Sequence, residues 1–91
     1  MMKFEWDTAK AEANVRKHGV SFDEAGSAFL DHLAISGTDP DHSVGEHRYI
    51  TFRMSSLGRL LAVCHTHQTD IIRIISARRV TRAERKIYEE N

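Results

Sequence analysis

Cysteine is almost missing from this 91-residue chain, where Cys64 is the only one. A lone thiol closes no intrachain disulfide, which excludes the cystine-stapled secreted modules and fits a reducing cytoplasm. Proline occurs once and glycine five times, far too little for a low-complexity or collagen-like chain. Long apolar runs are absent too. Arginine interrupts the candidates, as at Ile72-Arg73-Ile74, and the N-terminal Met1-Met2-Lys3-Phe4-Glu5-Trp6-Asp7 lacks a signal-peptide core, so no membrane span is expected. The length leaves room for one core, read as a single domain over 1–91, and excludes a large cofactor fold. No cofactor is expected.

Net charge is the last thing missing: 13 Lys+Arg balance 13 Asp+Glu. A neutral total ordinarily argues against nucleic acid, whose phosphates are held by Lys and Arg. The total conceals a division. Residues 1–46 hold 4 Lys+Arg against 9 Asp+Glu, whereas residues 47–91 hold 9 against 4. Six of those nine bases crowd into Arg73, Arg78, Arg79, Arg82, Arg85 and Lys86. Arginine is the side chain suited to forked phosphate contacts.

What is present is periodic. Asp7 as N-cap and Gly19 as C-terminal stop bracket a helix over 8–18, with Ala11, Val15 and His18 on one stripe and Lys10, Asn14 and Lys17 projecting on another. Ser21 and Glu24 spell a capping box for a second helix with the stripe Phe22, Ala25 and Phe29. Leu33-Ala34-Ile35 reads as a short strand and Asp39-Pro40-Asp41-His42 as a loop. From His47 the period is two. Three strands follow, near 49–54, 60–66 and 71–77, joined by short turns, so an antiparallel meander is expected. Thr81 and Glu84 spell a third cap for a helix over 81–90, with Val80, Ala83 and Ile87 as its buried stripe. The order predicts an α+β domain: two N-terminal helices, an antiparallel sheet of three to four strands and a C-terminal helix, with Arg73, Arg78 and Arg79 lining a shallow cationic groove.

Motifs in both halves of the chain carry a resemblance. The string Phe4-x-Trp6-Asp7-x-x-Lys10-x-x-x-Asn14-x-x-Lys17-His18-Gly19-Val20-Ser21-Phe22-x-x-Ala25, followed by Gly58-Arg59-Leu60-Leu61-x-Val63, Arg73-Ile74-Ile75-Ser76-Ala77-Arg78 and Glu84-Arg85-x-x-Tyr88, resembles the BrnT family of bacterial type II toxins. The resemblance implies a RelE-like fold and a ribonuclease activity that arrests translation. It also implies neutralisation by a BrnA-like ribbon-helix-helix antitoxin, in a complex, such as a heterotetramer, that reaches operator DNA only through the antitoxin.

Metal-independent RNA cleavage needs the ribose 2′-OH aimed at phosphorus, help with proton transfer, and donors around the charged oxygens. Arg73 and Arg78 are the expected catalytic arginines, with His65 and Tyr88 as proton-transfer candidates; Lys10, Asn14, Lys17, Arg79 and Arg82 are expected to bind RNA. His18 fits a helix-end role, Glu84 a cap, and Trp6 a core position better than a base-stacking one. His65-x-His67 and Asp39-x-Asp41-His42 are weak metal spellings without a compact third ligand set, so no metal is expected. The alternatives are a catalytically inactive nucleic-acid- or protein-binding module on the same fold, and a metal-dependent phosphodiesterase built on His65, His67 and the Asp39 loop.

Overall fold

A computed structural model describes residues 2–38 and 48–91. The Asp39-Pro40-Asp41-His42 loop lies outside the described residues. Strand β1 (Lys3–Glu5) is followed by helices α1 (Thr8–His18) and α2 (Phe22–Ser27) and a 3-10 turn (Ala28–Leu30). Then come β2 (Ile35–Thr38), β3 (Tyr49–Met54), β4 (Leu60–Gln68), β5 (Ile71–Arg79) and helix α3 (Arg82–Glu90).

The helix boundaries follow from caps. The Asp7 carboxylate accepts the Lys10 N–H at 3.0 Å, and Gly19, at φ 69, donates its N–H to Val15 at 2.9 Å. A side chain at that φ is strained, which is why glycine stops the helix there. Ser21 caps α2 through the Glu24 N–H, but the Glu24 carboxylate does not close the expected box. It turns into the protein instead, where it meets Arg59 Nε at 2.9 Å and the Ser55 hydroxyl at 2.7 Å. Arg59 also donates to the Gly19 carbonyl at 3.0 Å, so one guanidinium ties the α1–α2 corner to the β3–β4 turn. That bond to Arg59 is the main reason the Glu24 carboxyl is held below its usual range. Thr81 and Glu84 do form the full capping box.

The sheet has five strands in the order β1-β5-β4-β3-β2. Strands β2 to β5 form the antiparallel meander, but β1 lies parallel against β5, so the sheet is mixed rather than antiparallel. Three residues, Lys3-Phe4-Glu5, are too few to show a period, which is why β1 is invisible in the sequence. Strand β2 also begins two residues later than expected. Asp31 Oδ1 takes the Leu33 N–H at 2.8 Å, so Leu33 sits in a turn and is exposed.

Helices α1 and α2 cover one face of the sheet. Val20, Phe22 and Ala25 pack there on Leu61, Val63, Ile72, Ile74 and Ala77, with Trp6, Ala11 and Phe29 at the margin. Trp6 meets Phe22 edge-on at 5.9 Å, the core role expected of it. α3 belongs to the other face. Its expected stripe is displaced by one position: Ala83 and Ile87 are exposed, and Glu84 and Tyr88 make the contacts. The reason is polar. Glu84 receives both arms of Arg78, at 2.7 and 2.9 Å, and the Tyr88 hydroxyl donates to Asp31 at 2.7 Å.

Candidate active face

Arg73 and Arg78 are five residues apart, so an unbroken strand would point them to opposite faces. β5 is broken. Cys64 pairs with Ser76 while its neighbour His65 pairs with Ile74, which leaves Ile75 as one extra residue in β5. This bulge resets the alternation. On one side lie Ile72, Ile74, Ala77 and Arg79, opposite His67, His65, Val63 and Leu61; on the other lie Arg73, Ser76 and Arg78, opposite Thr66, Cys64 and Ala62. The bulge therefore brings Arg73 and Arg78 onto the face that carries α3, and sends Arg79 to the face that carries α1 and α2.

Arg73 is exposed, with Glu5 Oε1 at 3.4 Å from its guanidinium. Arg78 is half-buried and held in a fork by Glu84. The fork drives the Glu84 carboxyl down to about 2 and the guanidinium further up. Tyr88 approaches the same face from α3. Its bond to Asp31 pushes the phenol up to about 12, so the hydroxyl is a donor at neutral pH and not a base. Asp31 is itself fixed. Burial favours its neutral form, but the Tyr88 hydroxyl and the N–H groups of Met54 and Leu33 outweigh it and hold the carboxyl low.

His65 does not join this group. It lies on the helix-covered face at 4% exposure, edge-on to Phe29 at 4.9 Å and stacked on Tyr49 at 5.7 Å. Its Nε2 meets the Thr51 hydroxyl at 2.7 Å, and Thr51 meets Ser36 at 2.9 Å. Burial, reinforced by the Arg53 charge, pushes its pKa down to about 4. The imidazole is thus a neutral core group. An unfolded histidine takes up its proton near pH 6.5 and this one only near 4, so falling pH favours the unfolded chain across that interval. Wild-type stability should fall by about 3 kcal/mol between those limits, and His65→Gln should flatten the slope. Urea unfolding across this pH range measures both; an equal slope in the variant would contradict the assignment.

Asn14 is the largest departure. Rather than projecting, it is buried at 6% exposure. Its Nδ2 donates to the carbonyls of Val20 at 2.9 Å and Ala77 at 2.8 Å, and its Oδ1 accepts the Ala77 N–H at 3.2 Å. Lys10 and Lys17 remain exposed on α1, across the sheet from Arg73 and Arg78. Arg82 is exposed at the start of α3. Three or more His, Cys, Asp or Glu side chains gather nowhere among the described residues. No helix among them is long and apolar enough to cross a membrane.

This architecture has a solved counterpart, the 1.1 Å crystal structure of the Brucella abortus ribonuclease toxin BrnT. The two share 23% sequence identity and superpose with a TM-score of 0.66, over 90% of this chain and all of that one, a likeness of fold. Nothing among curated proteins matches. The family model described as ribonuclease toxin, BrnT, of type II toxin-antitoxin system matches residues 6–84, and the chain belongs to that family.

Proposed function

We propose that this chain is a metal-independent endoribonuclease toxin whose active face is the side of the sheet bearing Arg73, Arg78 and Tyr88. The observation that supports this reading most directly is the bulge at Ile75, which gathers two arginines onto one surface that a regular strand would divide. In the proposed reaction the ribose 2′-OH attacks the adjacent phosphorus and loses its proton to solvent, while the bond to the 5′-oxygen of the next nucleotide breaks and that oxygen takes a proton from solvent, giving a 2′,3′-cyclic phosphate and a 5′-hydroxyl. Arg73, exposed and 3.4 Å from Glu5 Oε1, takes the phosphate. Arg78, oriented by Glu84, supplies fixed positive charge where the phosphoryl oxygens gain negative charge. Tyr88 contributes a hydroxyl that stays protonated. Arg78 and Tyr88 both keep their protons at neutral pH, so the rate comes from orientation and charge rather than from a tuned general base. His65, Asn14 and Arg79 take no part in this reading, because all three belong to the other face of the sheet.

The same proposal includes a RelE-like classification, arrest of translation in the cytoplasm, and neutralisation by a BrnA-like ribbon-helix-helix antitoxin in a heterotetramer that binds operator DNA. One observation favours the second reading, a binding module without catalysis: Arg78 and Tyr88 are each already engaged within the chain, by Glu84 and Asp31. Incubation of the purified protein with a defined RNA in EDTA separates the two. Cleavage leaving 2′,3′-cyclic phosphate or 3′-phosphate ends is expected. Intact RNA with retained binding would sustain the second reading, and cleavage only after metal is added would replace both with a metal-dependent phosphodiesterase.

A further inference from the structure

Strand β1 closes one end of the sheet, and its outer edge has no strand partner among the described residues. Its inner edge is fixed by the Lys3 N–H, which donates to the Asp70 carbonyl at 2.7 Å. Backbone groups alternate along a strand, so Lys3 and Glu5 turn theirs toward β5 and Phe4 turns its N–H and C=O outward. Side chains alternate as well: Phe4 lies on the helix-covered face beside Ile72, while Lys3 and Glu5 lie on the opposite one, Glu5 beside Arg73. Together with Met2, Trp6, Phe29 and Leu30, Phe4 lines an apolar groove of about 630 Å³. Its rim is unusually open, with Met2 44%, Phe4 37% and Leu30 80% exposed.

We propose that this edge binds a second copy of the chain, β1 against β1, antiparallel and centred on Phe4. The sequence Lys3-Phe4-Glu5 is complementary to itself in that register. Phe4 faces Phe4 of the second copy as a hydrogen-bonded pair exchanging both N–H···O bonds, with backbone groups that already point outward. Lys3 then faces Glu5 of the second copy, and Glu5 faces its Lys3, in the closely spaced non-hydrogen-bonded positions where opposite charges help most. The two-fold axis closes the assembly at two subunits. It merges two five-stranded sheets, covers Met2 and Phe4, and removes an edge that would otherwise invite other strands. A parallel arrangement in register would set lysine against lysine. An RNA strand suits the groove less well, because Asp23 stands in its wall and Arg53 and His67 are its only basic groups among the described residues.

Sedimentation equilibrium of the purified chain across about 1 to 200 μM tests this, because interfaces below standard size fall in that affinity range. The expected result is a reversible shift from 10.4 kDa to twice that mass. Lys3→Glu places like charges at both symmetric contacts and should raise the Kd about tenfold or more, while the double variant Lys3→Glu/Glu5→Lys, with opposite signs restored, should recover most of the loss relative to the single variant. Circular dichroism checks that each variant is folded. A monomer at every concentration overturns the proposal. So does a dimer whose Kd is the same in Lys3→Glu, or one that the double variant weakens further.

Discussion

Asn14→Ala should lower stability by about 3 kcal/mol and the melting temperature by roughly 10 to 20 °C. The amide is the hinge pin between α1 and β5: both its N–H bonds and its carbonyl are used, on Val20 and Ala77, in a site closed to water. Alanine leaves the Ala77 N–H and two carbonyls without partners, and each orphaned buried group costs its desolvation. Asn14→Asp should be at least as damaging, because an acceptor-only carboxylate would face two carbonyl oxygens. Lys10→Ala and Lys17→Ala, on the exposed surface of the same helix, should stay within about 0.5 kcal/mol. Thermal unfolding followed by circular dichroism reads all four. A melt of Asn14→Ala within a few degrees of wild type would show that the amide is not the tie described, and would return Asn14 to the surface stripe that the helix spacing suggests.

That contrast shows what the sequence makes legible. Periods and caps are local, so α1, the cap of α3 and the strands β3 to β5 can be read from spacing: Asp7, Gly19, Ser21 and Thr81 all do what their positions in the chain imply. Partners across the sheet are not local. A polar residue at i+4 of a lysine reads as solvated whether it faces water or, like Asn14, a strand 63 residues away. The same blindness hides Glu24, which satisfies the spelling of a capping box but spends its carboxylate on Arg59 and Ser55. The burial of His65 is hidden for a related reason. Its period places it correctly on the stripe of Leu61 and Val63, yet only the packed Phe29 and Tyr49 rings reveal that this stripe is sealed. The odd spacing of Arg73 and Arg78 is a signal the sequence does carry, because the two cannot share a face without a bulge.

Arg73→Ala should reduce RNA cleavage by about 100-fold, the loss expected when the group that positions the scissile phosphate is removed. It is the cleanest probe of the proposed face because its structural role is slight. Its guanidinium is exposed and, among the described residues, meets only Glu5, at 3.4 Å, and exposed pairs contribute about 0 to 1 kcal/mol, so the melting temperature should hardly move. Arg78→Ala is less clean. It also cuts the fork that docks α3, so activity and stability should fall together. Arg73→Lys keeps the charge but loses the planar fork, and recovery should be partial. The sharpest comparison is with Arg79→Ala. Arg79 follows Arg78 directly in sequence and has the same charge, but the bulge puts it on the helix-covered face opposite Leu61. Measured on one RNA at one ionic strength, Arg73→Ala should be crippled and Arg79→Ala close to wild type. If the two lose activity equally, the effect belongs to the net charge of the basic half and not to a face. If Arg79→Ala alone is crippled, the active surface is the one that carries Lys10 and Lys17, and Arg73 is a bystander on the other side of the sheet.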